Sequence, residues 1–296
     1  MGKQVPAFCL IRLVVQFGGY KKTVYNDKRL LNRKEVHSML KKWSAIAVVA
    51  LLALTMGLVG CGSSKSEQPA AKVLKVGAEA TFPPFEFQDE NNKDYVGFDV
   101  DLMKAIGKQM GMEVQIVNTG FDGLIPALEG SQIDVIASAM SITAERANKV
   151  AFSKPYYKSG LSIVVKADNS TINNFKDLEG KRIAVQIGTT GAENAKKIKD
   201  AKVREFNSAS EAYLELKAGG ADAVVNDLPV NEYYLAKGGS KDAKLVGEVL
   251  NAEEYGIAVA KKNTELANKI NKALDELKQN GEYAKIYEKW FGKKPQ

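Results

Sequence analysis

Histidine and cysteine are almost missing from this sequence: one histidine and two cysteines occur among 296 residues. His37 and Cys9 both precede Cys61, so neither residue type occurs after it. That excludes a Ser–His or Cys–His nucleophilic pair, and a histidine- or thiolate-held metal, from everything that follows. It also excludes an internal disulfide there, so the fold rests on ordinary burial, which a span of roughly 220 residues permits. An excess of one charge is missing too. The whole chain has 42 Lys and Arg against 35 Asp and Glu, but residues 1–60 hold ten of the basic and two of the acidic residues. That leaves 32 against 33, a net charge of −1. The formal +7 is therefore no argument for nucleic acid, and no basic stripe with interleaved aromatics occurs. Lys285, Lys289, Lys293 and Lys294 read as one solvated helix face and tail.

The long apolar run that is present lies near the start. Leu40-Lys41-Lys42-Trp43 is a short positive segment, Ala45 to Val59 is uncharged and apolar, and the run closes on Leu58-Val59-Gly60-Cys61. This reads as a lipobox, the site at which a secreted lipoprotein is cut and lipidated on its new N-terminal cysteine. A membrane-spanning helix with an incidental cysteine fits less well, because the run is nearer the length of a signal peptide's apolar core. Residues 39–60 are therefore expected to be a signal peptide and Cys61 the lipidation site. Residues 61–72, polar and without apolar periodicity, are expected to be a flexible tether. Residues 1–38 are expected to be leader from a mis-called start: the codons for Lys34-Glu35-Val36 can read as a ribosome-binding sequence just ahead of Met39.

From Val73 onward short apolar runs alternate with amphipathic segments. Leu74–Gly77, Glu113–Val117, Ile133–Ile136, Arg182–Val185, Val203–Phe206 and Ala223–Asn226 read as strands. Asp99–Met110, Phe121–Glu129, Thr143–Lys149, Thr190–Lys199, Ser208–Lys217, Pro229–Ala236, Thr264–Lys278 and Glu282–Trp290 read as helices. The alternation implies α/β lobes with parallel sheets and right-handed crossovers. Two series of about equal length imply two lobes. Gly160–Val165 and Tyr255–Ala260 could join them as two hinge crossovers, with lobe 1 made of 73–160 and 255–296 and lobe 2 of 161–254. Ligands bind in such a cleft at the carboxyl ends of strands.

Several segments, in order, carry a family resemblance. Thr81-Phe82-Pro83-Pro84-Phe85-Glu86-Phe87, Val96-Gly97-Phe98-Asp99-Val100-Asp101-Leu102 and Phe121-Asp122-Gly123-Leu124-Ile125-Pro126-Ala127-Leu128 come first. Ser141-Ile142-Thr143-Ala144-Glu145-Arg146, Gly188-Thr189-Thr190-Gly191, Ala223-Val224-Val225-Asn226-Asp227 and Ile286-Tyr287-Glu288-Lys289-Trp290-Phe291 complete the set. Over residues 73–292 the chain resembles the polar-amino-acid-binding lipoproteins of ABC importers. The resemblance implies a two-lobed venus-flytrap fold of the periplasmic-binding-protein type, capture of a free L-amino acid outside the cytoplasm, and delivery to a membrane permease. Alongside these stand the expectations read from the residues themselves: a monomer held to the cell membrane by lipid on Cys61, with no cofactor, no metal, no catalysis and no nucleic-acid partner.

The resemblance also assigns residues. Arg146 sits in a first helical turn after the N-cap candidate Thr143, where a cation opposes the helix dipole. In the resembled family the matching arginine clamps the ligand's α-carboxylate with its two-pronged guanidinium. Asp227, an N-cap candidate in its own right, matches the aspartate that accepts the α-ammonium. Ser141 is expected to supplement the carboxylate site with its hydroxyl or its amide, and Thr190 through the free amides of the helix-opening Gly188-Thr189-Thr190-Gly191 turn. Ala139 stands where many members have glycine, so its methyl is expected to trim the pocket. Glu79, Phe82, Phe121, Gln186 and Asn226 are expected to select the side chain, with Phe82 and Phe121, otherwise ordinary core residues, sandwiching it. A carboxylate at Glu79 demands a cationic or amide partner, and a neutral Gln186 does not repel a cation. Arginine or lysine is the expected ligand, with glutamine the alternative. A lyase or cell-wall enzyme on the same fold is the rival of another class.

Overall fold

A computed structural model describes residues 72–295 of the chain. The leader, the signal peptide, Cys61 and the tether up to residue 71 lie outside the described residues. The described residues open with strand β1 (Lys72–Ala78), which takes in the last residue assigned to the tether. A small antiparallel sheet follows, β2 (Thr81–Phe82), β3 (Glu86–Gln88) and β4 (Tyr95–Val96), and then helix α1 (Phe98–Gln109). Next come β5 (Met112–Asn118), α2 (Leu124–Glu129), β6 (Val135–Ile136), α3 (Ala144–Lys149), β7 (Val150–Phe152) and β8 (Tyr157–Lys166). The second series is β9 (Arg182–Gln186), α4 (Thr190–Ala195), β10 (Lys202–Phe206), α5 (Ala209–Ala218), β11 (Ala223–Asp227) and α6 (Leu228–Ala236). The chain returns through β12 (Ala243–Tyr255) and β13 (Ala258–Ala260) to α7 (Thr264–Gln279) and α8 (Glu282–Phe291).

Two five-stranded sheets result, ordered β5-β1-β6-β13-β7 and β10-β9-β11-β8-β12. These are the two α/β lobes. Each sheet is mixed, where the sequence suggested parallel ones. The βαβ strands are parallel, β5-β1-β6 in one lobe and β10-β9-β11 in the other. The strands that arrive from the opposite lobe run antiparallel to them: β8 against β11, and β13 against β6. The reason is directional. βαβ strands end at the cleft, whereas a crossover strand begins there. The long strand β12, unforeseen because its outward residues are polar and glycine-punctuated, pairs with β8 along the hinge.

Ring packing ties the first lobe together. Phe98, fully buried at the start of α1, has Phe85, Tyr156, Tyr157, Tyr283, Tyr287 and Phe291 within 5.2–6.2 Å between ring centroids. The turn before it needs Gly97, whose φ of +135° is costly for any side chain. A Cβ there would sit 2.0 Å from the Phe85 carbonyl oxygen. That close approach lets Phe98 and Asp99 N–H donate to the Pro84 and Phe85 carbonyls, both at 2.9 Å, and fixes the Phe82–Phe85 turn at the edge of the cleft. Phe121 opens a 3₁₀ turn rather than the α-helix expected, and α4 ends at Ala195, four residues short of the expected end.

Candidate functional site

A narrow cavity of about 260 Å³, its mouth included, lies between the lobes. Phe82, Phe121, Ala139, Ser141 and Arg146 from one side, and Gln186, Thr189, Thr190 and Asp227 from the other, line it. Eight of the ten residues singled out from sequence are thus brought to one cavity.

Arg146 is placed by local signals. Thr143 caps α3, its hydroxyl accepting from the Arg146 N–H at 3.2 Å. The side chain is buried, 6 % exposed. Its Nη1 donates to the Ser141 carbonyl and its Nη2 to the Gly188 carbonyl, each at 2.9 Å, so it reaches both lobes. The guanidinium carbon lies 5.2 Å from the centre of the Phe121 ring. Burial presses this group below its ordinary range, while Glu193, Glu253 and Asp227 oppose the effect. A guanidinium has five N–H donors; among the described residues, two are given to backbone carbonyls. The remainder suit a carboxylate.

Asp227 ends β11 at the N-cap position of α6, yet its side chain makes no capping bond. The carboxylate is turned to the cavity instead. It is 7 % exposed, and its Oδ1 has no hydrogen-bond partner among the described residues. Burial, reinforced by the negative charge of Glu253, raises its pKa to about 8, against the opposing pull of the Tyr255 hydroxyl and Arg146. A buried carboxylate oxygen without a donor is unfavourable by about 1–3 kcal/mol. A cation in the cavity would relieve it.

Glu79 follows directly on β1 and is buried at 6 % exposure. It stands behind the wall rather than on it. Its Oε1 accepts from Thr81 Oγ1 at 2.6 Å, and its Oε2 accepts from Gln186 Nε2 at 3.2 Å across the lobes. Burial raises its pKa, and the hydrogen bonds from Thr81 and Gln186 counter this. Ala139 adopts φ +43°, an uncommon conformation for a residue with a side chain. Its N–H donates to Asp99 Oδ2 at 2.8 Å, which holds it there. Phe82 and Phe121 serve both readings: each packs on a core cluster and shows a face to the cavity.

Two assignments change. Asn226 is not on the cavity wall; its Nδ2 donates to the Tyr213 hydroxyl at 3.2 Å, inside lobe 2. Neighbouring residues of a strand face opposite ways, so Asn226 and Asp227 cannot share the cavity. Of the two Ser141 groups expected at the carboxylate, the hydroxyl is already engaged, which leaves the amide. The hydroxyl donates to Glu253 Oε2 at 2.6 Å, as does Thr190 Oγ1 at 3.0 Å. Glu253 and Thr189 were not singled out. Thr189 caps α4 and was legible as half of a Gly-Thr-Thr-Gly turn; Glu253 lies on β12, for which no periodic signal exists.

The family model of the bacterial extracellular solute-binding proteins, family 3, matches residues 74–293. The chain is 37 % identical over 257 residues to the arginine-binding extracellular protein ArtP of Bacillus subtilis strain 168, spanning 85 % of this chain and 98 % of ArtP. Among solved structures it resembles an ancestral arginine-binding protein bound to arginine, with a TM-score of 0.72 and 50 % identity over 74 % of this chain and 98 % of that one. An ancestral arginine-binding protein bound to glutamine is similar as well, with a TM-score of 0.70 and 49 % identity over 75 % of this chain and 98 % of that one.

Proposed function

The chain belongs to the bacterial extracellular solute-binding proteins of family 3, and on that premise we propose that it captures a free L-amino acid, arginine or lysine in preference, and delivers it to an ABC permease. The observation that carries this reading is the pairing of Arg146 with the unpartnered Oδ1 of Asp227 across one narrow cavity. Uncommitted guanidinium donors face an α-carboxylate; a donor-less carboxylate oxygen faces an α-ammonium. A zwitterion completes both at once, and only with the lobes closed, so its binding favours closure by differential contacts.

The side chain of the ligand lies between Phe82 and Phe121, whose flat faces suit an aliphatic stem and a planar cation. Glu79, reached through Gln186, supplies the negative charge that a basic side chain needs. Glutamine is the second reading. Gln186 already spends an N–H on Glu79, so an amide ligand could replace that donor.

Lobe 1 comprises 73–160 and 255–296 and lobe 2 comprises 161–254, with the hinge on the paired strands β8 and β12. The lipobox at Leu58–Cys61 places the protein on the outer face of the cell membrane; several acyl chains anchor stably where one is marginal. The protein acts as a monomer.

A thermal-shift screen of the purified protein against the twenty amino acids tests the reading. Arginine and lysine should raise the melting temperature most and glutamine less. A screen in which no amino acid shifts the transition would refute it.

A further inference from the structure

Glu86 and Asp99 belong to two of the segments that carry the family resemblance, yet neither lines the ligand cavity. Glu86 begins β3, Asp99 lies in the first turn of α1, and each is 1 % exposed. The two carboxyls lie within hydrogen-bonding reach of each other. Glu86 Oε1 accepts from Ser138 Oγ at 2.7 Å. Asp99 Oδ2 accepts from the Ala139 N–H at 2.8 Å and from the Tyr156 hydroxyl at 2.6 Å. Among the described residues, Glu86 Oε2 and Asp99 Oδ1 are left with no donor.

A carboxylate only accepts, whereas a carboxylic acid also donates one O–H. Two enclosed carboxylates at this range repel, so one of them keeps its proton. A single proton between the two free oxygens satisfies both. The donor count places it on Glu86. Asp99 has two donors from outside the pair and sits at a helix N-terminus, where negative charge is favoured; Glu86 has one donor. Burial and the charge of Asp99 push the Glu86 carboxyl well above the usual range. Burial raises Asp99 too, but only to about 6, because the bonds from Ala139 and Tyr156 oppose it. The other ionisable groups facing the cluster are Glu79, whose charge raises Glu86 further, and the phenols Tyr156, Tyr255 and Tyr283, whose own ionisation burial pushes up. The cluster is joined to the ligand site at two points. Ser138 Oγ, having given its proton to Glu86, accepts from the Glu79 N–H at 3.0 Å. Asp99 holds Ala139, which lines the cavity at φ +43°. We propose that Glu86 and Asp99 share one proton, carried by Glu86, and that this acid–carboxylate bridge is a positioning element that sets Ala139 in the cavity wall and Glu79 behind it. This rests on the amino-acid reading above and deepens it. All of these contacts lie between residues 79 and 156, so this half of the site is set without help from residues 161–254.

Carbon-13 labelling of the glutamate carboxyls tests the proton, and calorimetric titration of L-arginine tests the positioning, both at about pH 7, where ordinary glutamates are ionised. The proteins are the wild type, Glu86→Gln and Glu86→Met, with thermal melts confirming the fold of each. The wild type should show one neutral-acid resonance that Glu86→Gln lacks. The amide of Glu86→Gln offers an N–H to Asp99 and a carbonyl to Ser138, as the acid does, so arginine affinity should stay within about threefold of wild type. Glu86→Met offers neither and should bind arginine about tenfold more weakly. Should Glu86→Met fail to fold, Ser138→Ala cuts the link to Glu79 and should weaken arginine about threefold while keeping the neutral-acid resonance. Identical neutral-acid signals in wild type and Glu86→Gln would overturn the shared proton. Wild-type affinity in Glu86→Met, or in Ser138→Ala where that variant stands in, would overturn the positioning role, as would a loss in Glu86→Gln as large as in Glu86→Met. Amino-acid capture would stand in each of these cases. A wild type that binds no amino acid would overturn the functional reading and the positioning role with it.

Discussion

Replacing Asp227 with asparagine should make the empty protein more stable and a poorer binder. The carboxyl is fully enclosed, has an unpartnered oxygen, and titrates at about 8 instead of 3.8. Below about pH 4 it is protonated in both folded and unfolded chains and contributes nothing to the difference. From about 4 to 8 the folded protein holds the proton more tightly, so stability falls as pH rises; above about 8 the full cost is present. At about 1.4 kcal/mol per pH unit, the displacement sets a ceiling of about 6 kcal/mol. An asparagine amide is itself buried without a partner, which returns about 1–3 kcal/mol of that. A net gain of about 3 kcal/mol remains near pH 8, or about 6–12 °C in melting temperature for a domain of this size. Ligand binding should move the other way, losing about 2–5 kcal/mol as the α-ammonium loses its counter-charge. Melts of ligand-free wild type and Asp227→Asn at about pH 4, 6 and 8 read the first effect, and calorimetry reads the second. A variant that is less stable at pH 8, or a difference that does not grow with pH, would refute the reasoning.

Three further outcomes follow. Arg146→Ala should weaken every amino-acid ligand by at least about 2 kcal/mol, because each presents the same carboxylate; retained affinity for any one of them, measured by calorimetry, would remove Arg146 from the shared part of the site. Glu79→Gln should cost a cationic ligand far more than glutamine, and equal losses in paired titrations would end its assignment to the side chain. Phe98→Ala should lower stability by about 3–5 kcal/mol in denaturant unfolding, since the ring is fully buried among six others; a loss under about 1 kcal/mol would show that the ring cluster is not what holds α1.

What was legible in the sequence is what depends on neighbours along the chain. Thr143 three residues before Arg146 marks a cap and a first turn, and the structure has both. The βαβ alternation of 74–149 and 182–236 was read from apolar spacing, within a residue or two at most ends. What was missed depends on partners far away. The Thr81–Val96 strands are too short to show a period. The length of β12 is decided by β8, some 85 residues earlier in the chain. Glu253 acquires meaning only when Ser141 and Thr190 arrive from two lobes, and no local pattern announces that. Asn226 illustrates the opposite error: adjacency to Asp227 suggested a shared site, while strand alternation separates them.

The most direct measurement is a crystal structure of the protein grown with L-arginine. One arginine should lie in the cavity, its α-carboxylate on the Arg146 guanidinium, its α-ammonium on Asp227 Oδ1, and its side chain between Phe82 and Phe121. An arginine bound with its ends reversed, or bound outside the gap between the lobes, would contradict it.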